Sequence, residues 1–235
     1  MKILALESSA KAASAALLED SIVIGENFLH TGKTHSQTLL PAVEQLLKNC
    51  DTTISEVDLL AVAAGPGSFT GLRIAIAAVK GMAMAQDKPC VGVSTLEALA
   101  YNLRGFEGTA AAVMDARCGQ VYAALFDLHD GTVIRKTEDM AISIQNLGEM
   151  LLNIKNSVFL VGDGAKLCYN ILLESLPNIK MAPPHLVLQR ASSVAQCALQ
   201  QYEQNGAGTA TELLPVYLRL PQAERQAADR ENKKL

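Results

Sequence analysis

Residues 65–73, read as GPGSFTGLR, hold the residue types of an anion-binding corner. Gly65 and Gly67 permit a turn that a side chain would block. Pro66 fixes the backbone torsion between them. Ser68 or Thr70 is placed to cap a following helix, whose first N–H groups lack partners of their own and suit an anion. A second glycine corner, Gly162-Asp163-Gly164, recurs in the second half of the chain, and two short stretches, Glu7-Ser8-Ser9 and Asp115-Ala116-Arg117, precede predicted hairpins. Together these are the parts of a two-sided nucleotide site.

Other parts of such a site are missing. No glycine lies between positions 7 and 18, so the first hairpin lacks the close backbone approach that phosphate loops use. The GPGSFTG corner lacks the lysine of a GxxxxGK[ST] loop. Asp115 and Asp163 have the chemistry to hold magnesium and serve equally well as turn caps. The expectation is no resident cofactor, with at most weak binding of ATP and magnesium by the chain alone. Metal chemistry is not expected either. The histidines are His30, His35, His129 and His185, and no two stand four apart, the spacing that places two imidazoles on one helix face. Ser8, Ser9 and Ser68 have no base near them in sequence, which excludes a Ser-His-Asp reading.

The elements that must carry these corners follow from periodicity and punctuation. Strands are predicted over 2–6, 12–18 and 22–29, with a turn at Glu19-Asp20-Ser21. An amphipathic helix covers 36–50, a buried strand 59–64, and a small-residue helix 70–86 that Asp87-Lys88-Pro89 ends. A short strand over 90–93 leads to a capping box, Ser94-Thr95-Leu96-Glu97, and a helix to about 103. The pattern then restarts: strands over 109–114, 119–128 and 132–142, a helix over 143–154, a strand over 158–161, the second glycine corner, and helices over 165–176 and 192–204. Both halves read β-β-β-α-β-corner-α. The fold class is therefore α/β, a duplicated two-lobe architecture of the actin, Hsp70 and hexokinase kind (ribonuclease H-like). The lobes are expected over 1–105 and 106–235, with the last helix or tail packing back on the first lobe.

The composition fits a folded chain with a core of small aliphatic residues: 235 residues, 49% hydrophobic, 4% aromatic and no tryptophan. A formal net charge of −4 argues against gripping nucleic acid unaided. Cys50, Cys90, Cys118, Cys168 and Cys197 are scattered, with no CxxC, and read as reduced thiols. The N-terminal apolar run is too short for a signal peptide and no stretch suits a membrane span. A cytoplasmic protein with no membrane partner is expected.

Five ordered motifs carry a resemblance: MKILALESSAKAASAALLED, THSQTLLPAVEQLL, GPGSFTGLRIAIAAVKGMA, MDARCGQVYAALF and LLPVYLRLPQAER. Together they resemble the TsaB (YeaZ) family of bacterial tRNA threonylcarbamoyladenosine biosynthesis, from Met1 to about Arg225. The resemblance implies an actin-like fold and a non-catalytic subunit. It implies pairing with a catalytic TsaD-type paralogue or with a second copy of itself, and work alongside a TsaE-type ATPase. The assembled complex moves threonylcarbamoyl from threonylcarbamoyl-AMP to the tRNA adenosine beside the anticodon, so tRNA is met only through the complex. The paralogue's HxxxH motif is absent here. The alternative reading is an actin-like enzyme with its own nucleotide-dependent transferase or kinase activity.

The pairing surface is expected on the helices over 36–50 and 70–86. Small side chains permit close helix approach, and methionines suit adaptable contacts. The expected contact residues are Leu39, Leu40, Val43, Leu47, Arg73, Ile74, Ala77, Ala78, Gly81 and Met82. Arg73 and Lys80 are candidates to meet acidic groups on a partner. Glu7, Ser8, Ser9, Gly65, Gly67, Ser68, Thr70, Gly162 and Gly164 form the corners, structural or residual nucleotide-binding. No catalytic residue is assigned.

Overall fold

The computed structural model describes residues 1–219. The tail over 222–235, whose mixed acids and bases read as a frayed end, and the end of the last motif lie outside the described residues.

The first half opens as a meander of β1 (Lys2–Glu7), β2 (Ala13–Glu19) and β3 (Ile22–Leu29). Asp20 and Ser21 both take left-handed torsions, φ 47° and 70°, the geometry that suits a two-residue hairpin turn. Then come α1 (His35–Asn49), β4 (Leu59–Gly65), α2 (Phe69–Gln86), β5 (Cys90–Ser94) and α3 (Thr95–Tyr101). The strands form one sheet in the order β3-β2-β1-β4-β5, antiparallel in the meander and parallel from β1 onward.

The second half repeats the plan with β6 (Gly108–Asp115), β7 (Gln120–His129), β8 (Thr132–Arg135), β9 (Met140–Ser143), α4 (Ile144–Leu151), β10 (Val158–Val161), α5 (Ala165–Leu172), β11 (Ile179–Met181) and α6 (Ala191–Asn205). Its sheet order is β11-β10-β6-β7-β8, with β9 also on β7. Taken from the other edge, this is the order of the first sheet, so the duplication is present in the topology.

The strand expected over 132–142 is two strands. Between them the chain leaves β7's edge at Thr137, whose hydroxyl accepts the Leu125 N–H at 2.9 Å. Arg135 turns there to meet Asp139 Oδ1 at 2.6 Å and Glu97 Oε2 at 3.1 Å. The helices expected over 143–154 and 165–176 end earlier, at Leu151 and Leu172. The three-residue β11 was not expected.

Helices α1 and α2 cover one face of the first sheet. Leu39, Val43 and Leu46 from α1, and Leu72, Ile76 and Val79 from α2, meet Leu4, Leu6, Leu17, Leu60 and Val62. Each such leucine contributes about 1.5–3 kcal/mol by leaving water. The opposite face sets Ala5, Ala16, Ala61 and Ala63, among Ile3, Leu18, Leu59 and Val93, against Ala191, Val194, Ala195 and Ala198 of α6. Meanwhile α3 places Leu96, Leu99 and Ala100 on Ala110, Ala112 and Phe126 of the second sheet. The last helix of each half thus packs on the other half's sheet. Small residues let these layers close up, which explains the alanine-rich, aromatic-poor composition.

Polar clasps fix the chain entering α6. Asn102 Nδ2 donates to the carbonyls of Leu186 and Leu188 at 2.7 and 2.8 Å, and its Oδ1 accepts from Ser193. Glu26 accepts from the Ser192 N–H and hydroxyl and pairs with Arg190.

Candidate functional site

The two hairpins and the two glycine corners meet at a cleft of about 530 Å³. Ser9, Lys11, Gly67, Asp115, Arg117 and Asp163 are among its lining residues. The cleft is where the sequence places a nucleotide site.

The three glycines of the first corner face this chain's own backbone. A Cβ on Gly71 would run into the Ser8 carbonyl oxygen, and one on Gly67 would stand 2.6 Å from the Ser9 carbonyl oxygen. Gly65, at φ 131°, has the Val216 carbonyl oxygen where its Cβ would be. Hydrogen bonds lock the same contacts. The Ser68 N–H donates to Ser9 O at 2.7 Å, and Ser8 Oγ donates to Gly71 O at 2.8 Å. Ser68 is the N-cap of α2, its Oγ accepting the Gly71 N–H at 3.3 Å, so the helix starts one residue before the expected Thr70. Thr70 lies in the first turn and lines the cleft.

The second corner repeats the arrangement. Gly162, at φ 112°, has no room for a Cβ against Val113 O, and the Gly164 N–H donates to that same oxygen at 3.2 Å. Between these glycines Asp163 accepts from Gln189 Nε2 at 3.0 Å. Burial pushes its carboxyl up from the ordinary range, and Asp115 adds to the rise. Glu7 ends β1 wholly buried, its Oε1 accepting the Ser9 N–H. Burial pushes the Glu7 carboxyl up to about 7, with Asp163 reinforcing the shift.

A strap that the sequence reading did not assign to the site closes one side of the cleft. After α6 the chain returns over β5, buries Leu213, and donates the Val216 N–H to Ala64 O at 2.8 Å. Tyr217 then stacks on Phe69 with ring centroids 5.0 Å apart. The Arg73 guanidinium lies 3.9 Å from the Phe69 centroid and its Nε donates to the Tyr217 hydroxyl at 2.9 Å. Arg219 reaches across to the Ala116 carbonyl of the second hairpin. The only signal for this strap in the sequence was the VYLR motif itself.

No three histidine, cysteine, aspartate or glutamate side chains come together to hold a metal among the described residues. His35 Nε2 is engaged with Ala10 O at 2.7 Å, and His129 pairs with Glu107. No helix of the described residues is long and apolar enough to cross a membrane.

A family model described as TsaD, tRNA N6-adenosine threonylcarbamoyltransferase, matches residues 29–227. The tRNA threonylcarbamoyladenosine biosynthesis protein TsaB of Bacillus subtilis (strain 168) is 34% identical over 95% of this chain and 96% of its own. The chain belongs to the TsaB (YeaZ) family. The structure of YeaZ from Pseudomonas aeruginosa superposes with a TM-score of 0.79 at 29% identity, over 92% of this chain and 99% of that one. Component A of the Acidaminococcus fermentans (R)-2-hydroxyglutaryl-CoA dehydratase, at 11% identity and a TM-score of 0.51, shares the fold over 87% of this chain and 98% of its own. The fold is the expected actin-like one.

In this TsaB-family chain the expected pairing residues divide into two groups. Leu39 and Val43 are core, 0% and 4% exposed, because the stripe they define is the one that covers the sheet. Leu40, next to that stripe, is 53% exposed. On α2, Arg73, Ala77 and Gly81 are exposed and Ile74, Ala78 and Met82 are half-buried, while Leu47 on α1 is half-buried as well. A Cβ on Gly81 would meet nothing within 4 Å. Arg73, a candidate to meet a partner's acid, is engaged with Phe69 and Tyr217 of its own chain.

Proposed function

We propose that this protein is a non-catalytic subunit of tRNA threonylcarbamoyladenosine biosynthesis that pairs with a TsaD-type paralogue. In this reading the paralogue carries out threonylcarbamoyl transfer from threonylcarbamoyl-AMP to the tRNA adenosine next to the anticodon. A TsaE-type ATPase acts in the same complex, and tRNA is met through the complex, in the cytoplasm. The observation that supports it most is the first glycine corner. Gly65, Gly67 and Gly71 are filled by the chain's own carbonyls, so the residues that look like a phosphate cradle serve packing instead.

The surface offered for pairing is the outer side of α2 around Ala77, Ala78, Gly81 and Met82, continued by Leu40 and Leu47 of α1. Exposed small residues let a partner helix come close, and Met84, 69% exposed, adds adaptable apolar area. The same surface serves a second copy of this chain when the paralogue is absent. Light scattering on the chain alone and mixed with the paralogue tests this. A one-to-one complex that displaces the homodimer is expected. Two non-associating species would overturn it.

A second reading, a nucleotide-dependent transferase or kinase acting alone, draws on the cleft with Asp115 and Asp163 on its wall. Phosphate release from ATP by the chain alone, against the chain with its paralogue, separates the two. The pairing reading expects none from the chain alone.

A further inference from the structure

We infer that His35 is a positioning residue for pairing: it ties the first turn of α1, which carries Leu40, to the same hairpin that starts α2. The inference rests on the pairing reading above and names what holds that surface in shape.

Both helices of the surface are tied to three consecutive residues between β1 and β2. Ser8 Oγ donates to Gly71 O at 2.8 Å and the Ser68 N–H donates to Ser9 O at 2.7 Å, which place the start of α2. The next residue, Ala10, has its carbonyl oxygen 2.7 Å from His35 Nε2, 25 residues on in the chain. A carbonyl only accepts, so Nε2 carries the hydrogen and donates. Nδ1 is then an acceptor, and it is buried with no partner among the described residues. An unpaired buried acceptor is costly. The ring thus serves the tether and leaves its other nitrogen unserved.

The first turn of α1 has few fastenings of its own. Its N-cap, Thr34, makes no side-chain cap bond, and no acid lies in the first turn. Pro41 stands inside the helix and brings no N–H, so the Gln37 carbonyl lacks the donor that a helix supplies four residues on. Leu39 is in the core and holds the turn down on the sheet. The His35–Ala10 bond ties its open end to the hairpin. Leu40 is 53% exposed beside Leu39, while Leu47, Ile74, Ala78 and Met82 sit half-buried at the margin of the core that both helices share. The seat of this turn therefore sets where Leu40 stands relative to the outer side of α2. Without the tether, the turn must be reordered each time a partner docks.

The test measures pairing of the full chain with the TsaD-type paralogue by sedimentation velocity, for the parent, His35→Gln, His35→Asn and His35→Ala. A glutamine amide nitrogen stands where the imidazole Nε2 does, whereas an asparagine amide falls short of Ala10 O. His35→Asn and His35→Ala are expected to weaken pairing about tenfold through the added ordering cost. His35→Gln is expected to pair as the parent does. His35→Asn keeps a polar side chain and remains informative if His35→Ala does not fold. Cys168→Ala, a cavity in the core of the second half, is the control for general destabilisation. It is expected to lower the melting temperature and leave pairing unchanged, whereas a merely structural role for His35 would make pairing follow melting temperature across all the variants. Parent-like pairing by His35→Asn, no recovery with His35→Gln, or an equal loss from Cys168→Ala overturns the inference and leaves the pairing reading standing. A parent chain that does not pair overturns both.

Discussion

Gly71 and Ser8 are in mutual contact through backbone: the Ser8 carbonyl oxygen occupies the place of a Gly71 side chain, and Ser8 Oγ donates to the Gly71 carbonyl at 2.8 Å. This contact joins the β1–β2 hairpin to the first turn of α2. A methyl group at position 71 cannot be absorbed by a side-chain rotation, because the obstructing group, the Ser8 carbonyl, is main chain. Gly71→Ala is expected to lower stability by about 3 kcal/mol, read as a lower urea midpoint. Gly81→Ala, in the same helix with open space around it, is expected to raise stability by up to about 1 kcal/mol.

The Arg73–Phe69–Tyr217 stack fastens the C-terminal strap to α2 across 144 residues of sequence. Tyr217→Ala removes the ring and the hydrogen-bond acceptor together. It is expected to cost about 1–2 kcal/mol and to speed hydrogen exchange of the Val216 amide, which is donated to Ala64 O. Unchanged exchange at Val216 would show that Leu213 alone holds the strap.

Glu7 gives the chain a defined pH response. Its carboxyl is pushed from 4.5 up to about 7 by burial, so between these values the folded state holds a proton that the unfolded chain releases. Stability therefore falls as pH rises through this window, by on the order of 3 kcal/mol at most. Below pH 4.5 this effect is absent and above 7 it is complete. Glu7→Gln is expected to flatten the decline and to be more stable than the parent at pH 8, measured by urea unfolding at several pH values.

A charge on the exposed side of α2 tests the proposed pairing surface without disturbing the core. Ala77 is exposed, one turn from exposed Gly81. Ala77→Glu is expected to keep the circular dichroism spectrum and melting temperature within the usual range of a surface change, about 0.5 kcal/mol. Association measured by light scattering is expected to weaken at least a hundredfold.

Most of the fold was legible where local chemistry marks it. Gly-Pro-Gly with Ser68 fixed the end of β4 and the start of α2, and Ser94 fixed the start of α3, where its Oγ accepts the Glu97 N–H at 3.2 Å while the Glu97 carboxylate of the expected capping box goes to Arg135 instead. The repeated order of elements showed the duplication. The break at Arg135–Asp139 was not legible because its cause, Glu97, lies 38 residues away. Leu39 and Leu40 look alike in sequence, and only the packing of α1 on β2, β3 and α2 shows that one is core and the other surface. The corners of the site were found from their glycines, but their neighbours were not. What fills Gly65 and Gly71 comes from Val216 and Ser8, distant in the chain, and periodicity carries no record of such meetings.

The central claim, a shell that works through a catalytic relative, is tested most directly by the yield of threonylcarbamoyl-modified adenosine in tRNA. Reactions would contain this chain alone, the TsaD-type paralogue with the ATPase, all three together, or all three with Ala77→Glu in place of the parent. The account predicts sustained product only when all three are present and a return to background with Ala77→Glu. Product formed by this chain without the paralogue, or full yield with the paralogue and ATPase alone, would contradict it.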